Sequence, residues 1–159
     1  MAEKKTATIV LLSGDFDKVF AAFTIAIGAA AAGLDTYIFF TFWGYKPIQK
    51  GNLTGKSFLG KMIGIMNPGG INRLNPSKFS FFGIGRILFN KMMKDKRVAL
   101  VPELRQTALD LGVHFLACET TMQVLEIERK DLIDEVEAVV GVAALIKHCQ
   151  NSELTHFIS

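Results

Sequence analysis

The chain opens with an uncharged β-branched and aliphatic run, T-A-T-I-V-L-L at 6–12, which stops at S-G-D. A continuous apolar run bounded by turn residues is the pattern of a strand buried on both faces. After Ser13, Gly14 and Asp15 the spacing becomes helical over 16–32, rich in Ala, Phe and Ile, with Ser13 or Asp15 available as N-cap and Gly33 as the stop. The aromatic D-T-Y-I-F-F-T-F at 35–42 predicts a second buried strand. Strand, helix and strand in so short a segment make a βαβ unit with a right-handed crossover. Residues 19–34 carry no charge, but a membrane span needs ~20 apolar residues and Asp35 ends the run. Its alanines and glycines suit a helix packed closely on a sheet.

Beyond Trp43 the pattern loosens into G-Y-K-P, M-N-P-G-G, L-N-P-S-K and F-F-G-I-G-R, and only 59–66 and 84–93 keep helical spacing. So long a connection in a small α/β chain is often functional. Periodicity returns in V-P-E-L-R-Q-T-A-L-D-L-G, with Pro102 in the first turn, Leu104, Ala108 and Leu111 on one face, and Gly112 at the end. Thereafter the pattern predicts a strand at 113–117, short helices at 119–125 and 132–136, a strand at 138–140, a helix at 142–149 and a last strand at 154–158. The sum is a three-layer α/β/α sandwich on a mostly parallel sheet, with a helical insertion after the second strand. At 159 residues, one domain over 1–159 is expected.

Charge changes this picture in one place. Residues 46–97 hold eleven Lys and Arg against a single acid, Asp95, a charge of +10, while the remainder carries −7, giving +3 overall. A basic insertion, roughly 46–97, interleaved with Met, Phe, Ile and Leu suits contact with a subunit, an acidic partner or an anionic membrane surface. The spread of its basic residues among apolar ones, without a recognised motif, argues against nucleic acid. Two cysteines, Cys118 and Cys149, are too few for a disulfide framework and fit a reducing compartment. The start M-A-E-K-K-T-A-T-I-V offers no long apolar region for export, so a cytoplasmic location is expected.

The candidate chemistry is at Cys118, at the end of the predicted strand in H-F-L-A-C and immediately before a helix. In open parallel sheets ligands gather beyond the carboxyl ends of the strands. There the N–H groups of Glu119, Thr120 and Thr121 and the threonine hydroxyls can favour a thiolate, whereas Glu119 turned inward would oppose it. The alternative is a small buried apolar filler. Spacing removes several thiol chemistries. Thr121 stands where a C-x-x-C needs its second cysteine, Val124 where a phosphatase loop needs arginine, and Phe115 where a peroxiredoxin has threonine. His114 lies ~13 Å away along the strand, which also argues against zinc. A nucleophile without its own acid, base or metal suits a carrier that receives and hands on a group by thiol exchange. Asp15 and Asp17 read either as pocket lining or as helix caps, and Trp43 as a roof over the site or an aromatic plug.

The stretch A-C-E-T-T-M-Q-V-L-E-I-E-R-K-D-L-I-D-E-V-E resembles the active-site segment of the DsrE/DsrF-like sulfur-relay proteins, in the peroxiredoxin-like branch. S-G-D-F-D-K (13–18), F-F-T-F-W-G (39–44) and the basic insertion with Lys61, Met62, Met66, Lys91, Met92 and Met93 resemble it too, in the same order. The resemblance implies an α/β sandwich assembled as a homo-oligomer. It also implies a sulfur carrier or sulfurtransferase that takes sulfane sulfur as a persulfide on one cysteine, exchanging it with a rhodanese or TusA-like carrier protein. That role falls on Cys118 alone. Thr120 replaces the family's frequent Met, Thr121 its Ser, Gln123 its Asp and Glu126 its Gly, the last suggesting a helix continued past the family's turn. Ser13, Asp15, Trp43, Thr120 and Thr121 are the pocket candidates, and no metal or cofactor is expected. The competing reading is a noncatalytic membrane-associated or scaffolding module acting through the insertion.

Overall fold

Residues 5–78 and 83–159 are described by the computed structural model, so Phe81 and Phe82 of F-F-G-I-G-R and the first four residues lie outside the described part. Five strands, β1 (Thr6–Leu11), β2 (Asp35–Phe40), β3 (His114–Cys118), β4 (Val136–Val140) and β5 (Ser152–Ile158), form a parallel sheet in the order β4-β3-β2-β1-β5. The helices are α1 (Phe16–Ala31), α2 (Phe58–Met66), α3 (Ile84–Asp95), α4 (Val101–Asp110), α5 (Glu119–Val124) and α6 (Val142–Gln150). From β1 to β4 the chain steps in one direction across the sheet, and only α6 carries it back to β5. Because such crossovers are right-handed, the reversal puts α6 on the other face.

Aromatic contacts show the two faces. Phe23 of α1 sets its ring 6.4 Å from Phe40 and 5.9 Å from Phe115, and α4 packs alongside α1. On the opposite face His148 of α6 lies 4.5 Å from the Tyr37 ring. The result is the three-layer sandwich that the sequence predicts. β1 is buried along almost its whole length, as its uncharged sequence requires, since helices cover both its faces. Among the described residues no helix is long and apolar enough to cross a membrane.

Three expectations are corrected. No helix forms at 132–136: Leu132 makes an isolated antiparallel bridge to Gln49, Ile133 N–H donates to Ile48 O at 2.9 Å, and Val136 already begins β4. These apolar residues anchor the insertion and so are not spaced for a helix. Helix α5 does not continue through Glu126 but stops at Val124, and Glu126 takes the left-handed conformation with φ 51°. Strand β2 ends at Phe40, because Phe42 turns away with φ 46° into a 3-10 helix, Phe42–Ile48. That turn lies hard against the end of β1. A Cβ on Gly44 would sit 2.1 Å from Leu11 O, and Gly44 N–H donates to Leu12 O at 3.1 Å.

The basic insertion is held by acids of the rest of the chain. Glu126 accepts from Lys56 N–H, from Ser57 N–H at 2.7 Å and from Ser57 Oγ at 2.6 Å, while Ser57 Oγ caps α2 through Gly60 N–H. These donors hold the Glu126 carboxyl below the usual carboxylate range. Glu128 pairs with Lys130 and Lys56, which bring it down to about 2. Lys50 pairs with Asp134 at 2.9 Å. Asp17 accepts from Ser77 N–H and Oγ at 3.0 and 2.9 Å, so it ties down the insertion and does not cap α1. The −7 remainder and the +10 block therefore partly neutralise one another inside the molecule.

Two measurements follow from these contacts. Gly44→Ala forces a backbone shift and is expected to lower the melting temperature by about 5 °C or more; an unchanged melting point would show that the turn has room for a side chain. Glu126→Ala is expected to speed hydrogen exchange at the Lys56, Ser57 and Gly60 amides several-fold at neutral pH while β1–β3 keep their protection. In the unmodified chain the same loss is expected as pH falls through the lowered carboxyl values, because a depressed carboxylate stabilises the fold only while ionised. Equal exchange in both proteins would remove Glu126 as the clasp.

Candidate functional site

Cys118 closes β3 and is the N-cap residue of α5, with Val140 of β4 as its strand partner on one side. On the other side Ala117 pairs with Phe40, which brings Thr41 level with the cysteine. Sheet register therefore brings Thr41 to the site, while proximity in sequence supplies Thr120 and Thr121. Thr41 Oγ1 and Thr121 Oγ1 are 3.0 Å apart, and Phe42 N–H donates to Thr121 Oγ1 at 3.0 Å. The left-handed turn at Phe42 aims that N–H, at a conformational cost of about 1–2 kcal/mol for a residue with a Cβ. Tyr45, 1% exposed, donates its hydroxyl to Cys118 O at 2.6 Å.

Burial pushes the Cys118 thiol up, but hydrogen bonds from Thr121 N–H, Thr121 Oγ1, Thr41 Oγ1 and Thr120 N–H outweigh it, leaving the pKa below that of an ordinary thiol. Thr121 Oγ1 accepts from Phe42 N–H, which leaves its one hydroxyl hydrogen to be directed at the sulfur or at Thr41 Oγ1. Donors converging on a partly desolvated sulfur favour its charged form. Burial pushes the Tyr45 phenol well above its usual value, with the Cys118 charge adding to the rise, so Tyr45 stays a donor. Cys118 is 7% exposed, which keeps the sulfur at the edge of the core. Of the two threonines singled out from the sequence, Thr121 is 1% exposed and gives both groups, whereas Thr120 gives its N–H with an exposed side chain.

Ser13, Asp15 and Trp43 come together elsewhere on the same sheet edge. They line a cavity of about 430 Å³ with Gly14, Lys46, Ile63, Met66 and Asn67. Asp15 precedes α1 but makes no capping bond with its side chain; it accepts from Ser13 Oγ at 3.0 Å, while its N–H returns to Ser13 Oγ at 3.2 Å. The capping reading of Asp15 gives way to a wall of the cavity. Trp43, 45% exposed, forms part of that wall and plugs nothing. A narrow neighbouring space shares Trp43, Lys46, Ile63 and Asn67 with this cavity and reaches Phe42 and Tyr45, the two residues bonded to the cysteine's surroundings. Burial pushes the Lys46 ammonium down, and Asp15 pulls it partly back.

The remaining candidates are set apart from the sulfur. His114 is held at the start of β3, Nδ1 2.5 Å from Glu137 and Nε2 3.2 Å from Asp35, with Tyr37 stacked on its ring. Cys149 lies in the last turn of α6, which runs back from the carboxyl edge to the amino edge of the sheet; both cysteines are free, and burial raises the Cys149 thiol. With α6 spanning ~13 Å, the two thiols sit at opposite edges and cannot pair within one chain. Among the described residues no group of three His, Cys, Asp or Glu could hold a metal. Thr41, Tyr45 and Lys46 were not singled out from the sequence. Their signal lay in T-F-W-G-Y-K, where a glycine, the residue that permits close backbone approach, marks the tight return onto the sheet.

Comparison with known proteins agrees with the fold. Solved structures share the fold at 11% identity: YchN from E. coli, with a TM-score of 0.57, and MTH1491 from Methanobacterium thermoautotrophicum, with 0.53, each covering 96% of this chain and 99% of its own. The chain is 39% identical over 158 residues to the uncharacterized protein YrkE of Bacillus subtilis, covering 98% of both. It is 28% identical over 160 residues to the sulfur carrier protein DsrE2 of Allochromatium vinosum, covering 98% of this chain and 99% of that one. The profile of the DsrE/DsrF/DrsH-like family matches residues 3–157. With a strand-end cysteine cradled by threonines on a five-stranded parallel sheet, the chain belongs to the DsrE/DsrF/DrsH-like family.

Proposed function

We propose that the protein is a sulfur carrier in which the Cys118 thiolate attacks the outer, sulfane sulfur of a donor persulfide. The donor's S–S bond breaks, its own sulfur leaves as a thiolate, and Cys118 holds the transferred sulfur as a persulfide. A partner thiolate then attacks that terminal sulfur, and Cys118 leaves as the thiolate it began as. Each half is an exchange without net oxidation, so neither needs a metal, a cofactor or a general base. The observation that carries the reading is the donor set from Thr41, Thr120 and Thr121 on one sulfur, which stabilises Cys118 both as nucleophile and as leaving group. The similarity to a sulfur carrier protein over nearly the whole chain supports it. Rhodanese or TusA-like proteins are the exchange partners that this chemistry suits, in the reducing cytoplasm.

Exposed apolar residues supply surfaces for such partners. On α6 and the adjoining strand β5, Val142, Ile146 and Phe157 are exposed, a surface suited to a second copy in a homo-oligomer. A second reading rests on the insertion, where Phe58, Leu59, Ile65 and Met66 of α2 and Ile84, Ile87, Leu88 and Met92 of α3 are exposed among lysines. In that reading the protein lies on an anionic membrane surface and Cys118 is incidental.

Incubation with a persulfide or thiosulfonate donor, followed by intact mass measurement, is expected to add one sulfur atom to the unmodified chain and to Cys149→Ser, reversibly by thiol, and none to Cys118→Ser. An adduct unchanged in Cys118→Ser would contradict the carrier reading. Flotation with anionic vesicles checks the second reading, which requires binding that falls with salt and survives Cys118→Ser.

A further inference from the structure

A second cavity, of about 550 Å³, lies away from Cys118, where the insertion meets the start of α4. Its walls come from 49–51, from 69–73, and from Arg105 and Ile133. Two guanidinium groups face it. Arg73 gives Nη1 to Gly51 O at 3.1 Å, and Arg105 gives Nη1 to Pro47 O at 2.8 Å. Each bond fixes the side chain by a backbone carbonyl and consumes one of five N–H donors. Neither arginine has a carboxylate within 4 Å among the described residues; the nearby acid Asp134 is taken by Lys50, and no acid lines the cavity.

The wall between the arginines is built from glycine. Gly51 and Gly70 have φ of 89° and 111°, conformations that a residue with a Cβ rarely adopts, and a Cβ on Gly69 would lie 2.2 Å from Gln49 Oε1. The three glycines therefore let 51 and 69–70 approach one another and the Gln49 side chain closely along one wall of the cavity. Arg105 is partly buried, and burial pushes its pKa down while Glu135 pulls it back up. Retaining an unpaired cation in such a place costs free energy that a bound anion would offset. A rigid planar fork suits oxygen atoms taken two at a time.

We propose that Arg73 and Arg105, set across the glycine-walled cavity, form a binding site for a small tetrahedral oxyanion of the phosphate, sulfate or thiosulfate class. Arg73 comes from the basic insertion and Arg105 from α4, so an anion held by both would join the insertion to the sandwich through residues other than those of its Glu126 clasp. The site uses no residue of the Cys118 cradle and stands whether or not Cys118 carries sulfur.

Binding of phosphate, sulfate and thiosulfate to the full chain is measured by calorimetry, with chloride at matched ionic strength as the control. At least one of the three is expected to bind saturably, about fivefold or more weakly in Arg73→Gln, with Arg73→Lys between the two. Arg73 is exposed, so its variants are expected to fold; thermal melting confirms it. Cys118→Ser is expected to bind as the unmodified chain does. The ranking of the anions identifies the source, thiosulfate pointing to sulfur metabolism and phosphate to a phosphorylated ligand. No saturable binding beyond chloride, or equal binding in a folded Arg73→Gln, would overturn the site. Loss of binding in Cys118→Ser would overturn its independence.

Discussion

The hydroxyl of Thr121 joins everything that matters at the sheet edge. It takes the N–H of Phe42, lies 3.0 Å from the hydroxyl of Thr41 and donates toward the Cys118 sulfur, so one oxygen couples the end of β2 to the end of β3. The left-handed turn at Phe42 and the close approach of Gly44 to β1 exist in relation to that contact, since together they bring 41–45 back over the strand ends. Tyr45 follows in the same turn and fixes the Cys118 carbonyl. A hydroxyl cradle of this kind lowers a thiol without placing a permanent positive charge beside it.

A second constraint is electrostatic and works at larger scale. The basic insertion would repel itself if left alone, and acids from the segment after α5 draw it in: Glu126 to the α2 cap, Glu128 to Lys56, Asp134 to Lys50. Because Glu126 follows α5 directly, the clasp and the cysteine share one short piece of chain. The insertion is thereby fixed relative to Cys118, and its Ile63, Met66 and Asn67 become walls of the cavity that Ser13, Asp15 and Trp43 open onto. The exposed apolar side chains of α2 and α3 are presented on a firm base and not on a loose loop.

Features fixed by local chemistry were legible in the sequence. The uncharged run at 6–12, the alanine-rich helix stopping near Gly33, and the strand ending on Cys118 all announce themselves through period and punctuation, and each forms close to the expected bounds. The cysteine's surroundings were only half legible. Thr121 lies within one turn of Cys118, but Thr41 and Tyr45 arrive through strand register across more than seventy residues of sequence. The errors have the same origin. The apolar residues at 132–133 read as helical because their true partners, Gln49 and Ile48, belong to a distant segment. Glu126 read as a helix continued, since its helix propensity was visible and the donors waiting for its carboxylate were not.

The central claim is that neutral donors, chiefly Thr121, lower the pKa of Cys118 and so favour its thiolate. It is tested by following thiolate ultraviolet absorbance against pH in Cys149→Ser, where Cys118 is the one remaining thiol, and in the same chain carrying Thr121→Val or Thr121→Ser. The account predicts a midpoint below the ~8.5 of a free cysteine, raised by Thr121→Val and kept low by Thr121→Ser. Folding stability is then expected to lose the thiolate's contribution as pH falls through that lowered midpoint, because the depressed group stabilises the fold only while charged. A midpoint at or above that of a free cysteine, or one that Thr121→Val leaves in place, would contradict it.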